Sequence, residues 1–190
     1  MGDGALYRHK HDYIMKYEVK DRSFIKSFEK DVRKVYGLAM TKGFNRSGKT
    51  GVMIPYVKVR SKEAFEDLMS YGEYKSAAWS IPEAVKAAGE DVRIEFIRAF
   101  FDDEGSVVPR EARFYSTNIE GISGMAGLLR GFGIETILRA GFGSRRNVYA
   151  LTLKRENLRL FADKIGFGLK RKQRKMLKEL TRLAKVRSAR

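Results

Sequence analysis

One order of elements, strand then helix then hairpin then helix, occurs twice along the chain, and this duplication restricts the possible folds of its 190 residues more than any single motif does. In the first copy Tyr13, Met15, Tyr17 and Val19 alternate with Ile14, Lys16, Glu18 and Lys20, the period-two pattern of a strand with one buried face. Asp21 is placed to cap a helix whose apolar positions are Phe24, Ile25, Phe28, Val32, Val35 and Tyr36, and Gly37 supplies its stop. A hairpin from about Leu38 to Arg60 follows, then a short helix capped by Ser61 that ends near Gly72. In the second copy Arg113 to Thr117 is the strand, Asn118 the cap, and Ile119, Ile122, Met125, Leu129 and Phe132 the apolar stripe before Gly133. A hairpin from Glu135 to Leu153 and a helix stopping near Gly166 complete it. Two such copies predict an α+β protein with pseudo-twofold symmetry.

Residues 74–88 connect the copies, with Pro82 at a helix start. Asp91 is expected to cap an apolar helix from Val92 to Asp102 that runs into Asp103, Glu104 and Gly105. That helix is too apolar for a surface, and Ala99 would admit a partner helix at close range. From residue 170 onward ten bases face one acid, Glu179, with Met176, Leu177, Leu180, Leu183 and Ala184 at helical spacing, so a basic amphipathic helix is expected. The organisation anticipated is an N-terminal repeat with its connector over 1–88, a C-terminal repeat over 89–169 and a basic helix over 170–190.

The charge balance names a class of partner. Lys and Arg total 39 against 23 Asp and Glu, a net +16 with pI ≈ 10.0, and polyanions, nucleic acid first, suit such a chain. The final basic segment holds +9 of that excess. With no cysteine, a disulfide framework and thiolate metal sites are excluded, and with only His9 and His11 a structural zinc site has almost no ligands. No run approaches the roughly 18 apolar residues of a membrane span. No signal peptide precedes the first charges, so a cytoplasmic, nucleoid-associated protein is expected. Gly43 to Thr50 satisfies the G-x4-G-K-[ST] phosphate-loop pattern, yet Gly51, Val52, Met53, Ile54 and Pro55 follow where that loop requires a helix, so the segment reads as a basic hairpin tip.

Ile97-Arg98-Ala99-Phe100-Phe101-Asp102-Asp103-Glu104-Gly105 is an apolar helix ending in carboxylates and a glycine. The duplication asks for the same feature ahead of the first copy. There Asp3-Gly4 lies about as far before its strand as Glu104-Gly105 lies before the second. On these residues the chain resembles the LAGLIDADG homing endonucleases of the archaeal, two-motif, single-chain type. The second motif is nearly complete, with Glu104 at its metal-binding eighth place. The first is reduced to Met1, Gly2, Asp3 and Gly4, with Asp3 at that same place.

The resemblance implies two four-stranded antiparallel sheets forming a saddle over the DNA major groove, around central motif helices. It implies that Asp3 and Glu104 hold Mg²⁺ with the backbone carbonyls of Gly2 and Asp103, and that one phosphodiester in each strand is hydrolysed, leaving short 3′ overhangs. Lys20 would be the basic residue near the scissile phosphate, although its counterpart is Thr117. The DNA face would take Lys16, Glu18 and Lys20 from the first sheet and Arg113, Tyr115 and Thr117 from the second. Lys42, Arg46, Lys49, Lys58, Arg139, Arg145 and Arg146 would extend it from the hairpins. An intron or intein origin is implied, with an RNA maturase that meets intron RNA, or a cleavage-inactive DNA binder, as the alternative. Abundant charge without cysteine suits a thermophilic source. Because the first motif helix is so short here, a frame beginning upstream or packing by another copy is expected, with a monomer where that helix is present.

Overall fold

The structure, a computed structural model, describes residues 4–48, 50–72, 75, 77–142 and 147–188. The chain forms two compact units, residues 1–74 and 75–190. The boundary falls ahead of the 88/89 division anticipated from the repeats. The connector goes with the second unit because Trp79 and Ile81 are buried there, and the C-terminal helix joins it by burying Met176 and Leu183.

The first unit runs β1 (Gly4–His9), β2 (Asp12–Glu18), α1 (Arg22–Tyr36), β3 (Thr41–Arg46), β4 (Met53–Arg60) and α2 (Lys62–Ser70). Its four strands make one antiparallel sheet in the order β1-β2-β4-β3. β2 follows its alternation from Met15 onward, with Met15, Tyr17 and the following Val19 buried against Ile25, Val32, Val57, Val59 and Ala64, whereas Ile14, expected on the open face, is buried too. The Asp21 side chain accepts from the Ser23 N–H at 3.0 Å, and the Ser61 hydroxyl accepts from the Ala64 N–H at 3.2 Å. Gly37 ends α1 at φ +67°, the left-handed conformation that favours glycine.

The second unit runs α3 (Glu83–Ala87), α4 (Glu90–Glu104), β5 (Gly105–Val108), β6 (Glu111–Ser116), α5 (Ile119–Gly131), β7 (Ile137–Phe142), β8 (Val148–Lys154), α6 (Arg155–Lys164) and α7 (Lys170–Ser188). Its sheet is antiparallel in the order β5-β6-β8-β7, the same order as the first. An aromatic core of Trp79, Phe100, Phe101, Phe114, Phe161 and Phe167 joins connector, motif helix, sheet and α6, with ring centroids 4.7 to 6.3 Å apart. Trp79 is fixed at both ends. Its indole N–H donates to the Ser116 hydroxyl at 3.2 Å, and its carbonyl accepts from the Asn118 amide at 2.5 Å. Asn118 also caps α5 by accepting from the N–H groups of Glu120 and Gly121.

The elements complete the reading of the strands, correct that of α4 and bear out the hairpin tip. β1 and β5 were absent from the strand-by-strand pattern, because β1 is largely exposed and β5 has only 4 residues, too few to show a period. α4 begins at Glu90 behind a Gly89 cap, so Asp91 lies inside the first turn, where its charge favours the helix dipole. The same helix continues through Glu104, beyond the expected stop at Asp102. The phosphate-loop pattern is a hairpin tip: Gly43 to Arg46 belong to β3, Gly51 donates to the Ser47 carbonyl at 2.8 Å, and β4 follows.

Two glycines of α5 test the packing with opposite signs. A Cβ at Gly121 would stand 2.6 Å from the pinned Trp79 ring, whereas one at exposed Gly127 meets nothing within 4 Å. Gly121→Val should therefore cost about 1–3 kcal/mol by overpacking. Gly127→Ala should add up to about 1 kcal/mol through helix propensity. Urea unfolding of the two variants, read from the transition midpoints, checks both directions.

Candidate active site and nucleic-acid face

The end of α4 concentrates negative charge. Asp102, Asp103 and Glu104 occupy its last turn with no basic residue among them, at the helix end where unsatisfied carbonyls already point outward. A reciprocal exchange with α7 resolves this. The Lys172 ammonium donates to the carbonyls of Phe101 at 3.1 Å, Asp102 at 2.5 Å and Gly105 at 2.5 Å, with the Asp103 carbonyl at 3.5 Å. In return the Asp102 carboxylate accepts from the N–H groups of Gly168 at 3.0 Å and Leu169 at 3.2 Å, just ahead of α7. Gly168 permits that approach, since a Cβ there would lie 2.7 Å from Oδ2 of Asp102. One turn earlier on α4, Arg98 donates to the Ile165 carbonyl at 2.8 Å, so the loop between α6 and α7 is held by two motif residues.

The three acids thus separate. Asp102 is buried and serves as an anchor; burial pushes its carboxyl up from the ordinary range, partly offset by the Leu169 and Gly168 hydrogen bonds and by Lys172 and Arg98. Burial pushes the Lys172 ammonium down, against the pull of Asp102, Asp103 and Glu104. Asp103 is half-buried. Glu104 is exposed at the last residue of the helix, directly before the first strand of its sheet. Gly2 and Asp3, the other expected metal ligands, lie outside the described residues, as do Lys49, Arg145 and Arg146.

Strand register decides which of the expected DNA-face residues share a face. In the first sheet Lys16 is opposite Lys58, which is opposite Thr41, and Glu18 is opposite Tyr56, which is opposite Gly43. Lys16, Glu18 and Lys58 therefore lie on one face, away from Tyr17 and Val57. Lys16 is ion-paired with Glu18 and stands 4.6 Å from the centre of the Tyr56 ring, and Glu18 also accepts from the Asn45 amide at 2.7 Å. Lys42 is opposite Val57 and so lies on the helix-covered side, ion-paired with Glu29 of α1 at 2.8 Å; Arg46 shares that strand parity and reaches the Gly51 carbonyl. Lys20 is exposed two residues past β2.

In the second sheet Arg113, Thr152 and Ile137 form one row, and Tyr115, Ala150 and Arg139 form the next on the same face. Hydrogen bonding with Tyr115 and donation to the Glu111 carboxylate hold the Arg113 guanidinium above its ordinary range. Thr117 follows β6, exposed. Asn45 and Tyr56 belong to these faces and escaped sequence reasoning, although the alternation of β3 and β4 carries the signal; Thr152 shares the Arg113 row but is fully buried. A face mixing donors, acceptors and an aromatic ring can read base edges as well as hold phosphates.

Residues 91–166 match the family model for a LAGLIDADG-like domain. Along nearly its full length, 97%, the chain is 26% identical to an uncharacterized protein of Methanocaldococcus jannaschii, spanning 69% of that protein. Among solved structures it is similar to I-DmoI in complex with DNA and Mn, at 18% identity and TM-score 0.64, over 86% of this chain and 89% of that one. It is also similar to the homing endonuclease I-WcaI bound to its DNA recognition sequence, at 14% identity and TM-score 0.68, over 92% and 80%. The two antiparallel four-stranded sheets with their helices are the fold of those homing endonucleases.

Removing either partner of the α4–α7 exchange should destabilise the protein. Asp102→Ala leaves two N–H groups without an acceptor, and Lys172→Met leaves a cluster of carbonyls without a donor, each at a cost of about 2–3 kcal/mol. In a double-mutant cycle the pair should cost less than the sum. Because the folded state raises the Asp102 pKa, it binds the proton more tightly than the unfolded state does. The stability of the native protein relative to Asp102→Asn should therefore rise as pH falls from neutral through the elevated value towards the ordinary carboxylate range. Denaturant titrations at several pH values measure both effects.

Proposed function

We propose that this chain, a LAGLIDADG-type protein by the domain in residues 91–166 and by the fold of its two sheets, is a site-specific double-strand DNA endonuclease working with a divalent metal ion. The observation that carries this reading is the division of labour at the end of α4. Asp102 and Lys172 are committed to holding the helix, while Glu104 is exposed on its last residue, beside a sheet whose outer face is built for polar contact. The neighbouring helix end fixes the Glu104 backbone, while the Glu104 side chain is exposed and acts on the Lys172 charge.

The donor chemistry suits a hard cation. A carboxylate with nearby backbone carbonyls is the oxygen set that Mg²⁺ takes, and the Asp103 carbonyl, at 3.5 Å from the Lys172 ammonium, is at the outer limit of a hydrogen bond. No group of three or more His, Cys, Asp or Glu side chains gathers among the described residues. The reading accordingly assigns the second carboxylate to Asp3 and a second carbonyl to Gly2. The similar protein I-DmoI has been solved with Mn, Mg and Ca, which supports divalent-metal use here. When bound, such an ion supplies charge stabilisation for phosphodiester hydrolysis. The chain's own residues do the rest: Lys16, Lys58, Arg113 and Arg139 neutralise and position the duplex, Glu18, Asn45 and Tyr115 offer groups to base edges, and exposed Lys20 approaches the backbone. An intron- or intein-encoded enzyme, acting on DNA in the cytoplasm and of archaeal origin as its Methanocaldococcus relative suggests, fits this reading.

A library of randomised duplex targets, incubated with Mg²⁺ or with EDTA, tests it. Cutting should require the metal and should be abolished by Glu104→Gln and by Asp3→Asn, with duplex affinity held within about tenfold because phosphate contacts dominate binding. Binding without cutting under every condition would replace the endonuclease by a DNA binder. Loss of affinity as large as the loss of cutting would make Glu104 a structural residue.

A further inference from the structure

α7 carries the densest charge in the chain, and that charge is organised. Its buried side takes Met176 and Leu183 into the core of the second unit, following Leu169. At its ends and middle it is tied down: Lys172 holds the α4 carbonyls, Glu179 accepts from the Arg110 N–H at 2.7 Å, and the Leu183 carbonyl accepts from Arg155 at 3.4 Å. The outer side presents Lys170, Arg174, Lys178 and Arg182 at intervals of four residues, about 6 Å apart along the axis, with Lys175 and Lys185 beside them.

Of the four cations on the outer strand faces, Lys16 and Arg113 are in ion pairs while Lys58 and Arg139 are in none among the described residues, and the sheet cations that turn to the helices or edges are paired as well. Lys16 is paired with Glu18, Arg113 with Glu111, Lys42 with Glu29 and Arg60 with Asp12. On α7 only Arg182 among the six has an acidic partner, Glu179; the ion pairs of the described residues include none of Lys170, Arg174, Lys175, Lys178 and Lys185. α7 also packs on α6 and beside β5, in the helical layer of its unit, so its outer side is separate from the strand face that bears Arg113 and Tyr115.

We infer that the outer side of α7 is a second, sequence-independent binding surface for the phosphate backbone of duplex DNA. Three chemical features select this occupant. The helix has no aromatic residue on which an unpaired base could stack, the feature that single-stranded RNA recognition uses. Its apolar side is buried, with Leu177 the large apolar residue left exposed, so it has little to insert into a lipid surface. Its row of cations lacks the carboxylate and amide groups that read base edges, which leaves backbone phosphates as its match. The surface would hold the protein on non-target DNA, or on a second segment of duplex, while the strand faces engage a target.

The inference rests on the reading of a DNA-binding protein but not on cleavage, so it is tested in EDTA. The full chain and a variant with Lys170, Arg174, Lys175, Lys178 and Lys185 all replaced by Gln are titrated with a short duplex of random sequence over a range of salt. The variant should bind at least about tenfold more weakly at low salt, with its log affinity against log salt flatter by about 3, and should retain its melting temperature. Unchanged affinity and slope would overturn the inference, as would stripe-dependent binding of single-stranded RNA or phosphatidylserine vesicles tighter than that of duplex. If the variant melts lower, Lys178→Gln with Lys185→Gln, far from the α4 contact, must still reduce the slope by about 2. A protein that cuts no target yet shows stripe-dependent duplex binding loses the endonuclease reading and keeps this one. A cutting enzyme whose non-target binding ignores the stripe does the reverse.

Discussion

An α-helix that ends in three carboxylates contradicts its own dipole, and the second unit is organised around the resolution of that conflict at Asp102, Asp103 and Glu104. Lys172 brings a positive charge to the carbonyls at the helix end, and Asp102 gives its negative charge to the N–H groups that precede α7. Each helix thereby satisfies the end of the other, where partial charges of opposite sign are exposed. The exchange explains why α7 is an integral part of the unit despite its surplus charge. It also explains why Gly168 follows the last turn of α6, since any larger residue would obstruct the carboxylate.

That anchoring has a consequence for chemistry. A carboxylate held two N–H bonds deep and screened from solvent is a poor metal ligand, because its lone pairs are already engaged and its charge is already compensated. Glu104, two residues later, projects from the same rigid helix end with its backbone fixed by the Lys172 contacts on either side, at Asp103 and Gly105. Rigid support next to an exposed oxygen ligand is the arrangement a positioned cation requires. The helix end thus combines a buried anchor and an exposed carboxylate two residues apart, and their separation depends on which way each side chain leaves the final turn.

Much of this was legible in the sequence, and the missing parts have a common cause. The caps Asp21, Ser61 and Asn118, the stop at Gly37 and the buried faces of β2 and β6 are decided within a few residues, so local pattern reveals them. The clustered acids were visible too, but their division was not. Asp102 becomes structural only because Gly168 and Leu169 come to it from 66 and 67 residues away. Lys42 illustrates the same limit in a sheet. Its basic side chain suited the DNA face, yet the register of β3 against β4 sets it opposite Val57, where it meets Glu29 of α1. Register in a hairpin is set by its turn, and a one-residue shift exchanges the two faces.

The distribution of cations, more than their number, carries functional information. On the strand faces positive groups alternate with Glu18, Glu111, Asn45 and aromatic rings, and several are held in pairs that fix their direction. Such pairing lowers the non-specific pull of the face on any phosphate while keeping oriented donors and acceptors available, which favours discrimination over raw affinity. On α7 the charges stand in a row with little compensation, which favours affinity over discrimination. On the proposed reading, a protein that must find a rare sequence among many competing ones gains from having both on different surfaces: the unselective contact would keep it near DNA, and the selective one would then decide where it stops.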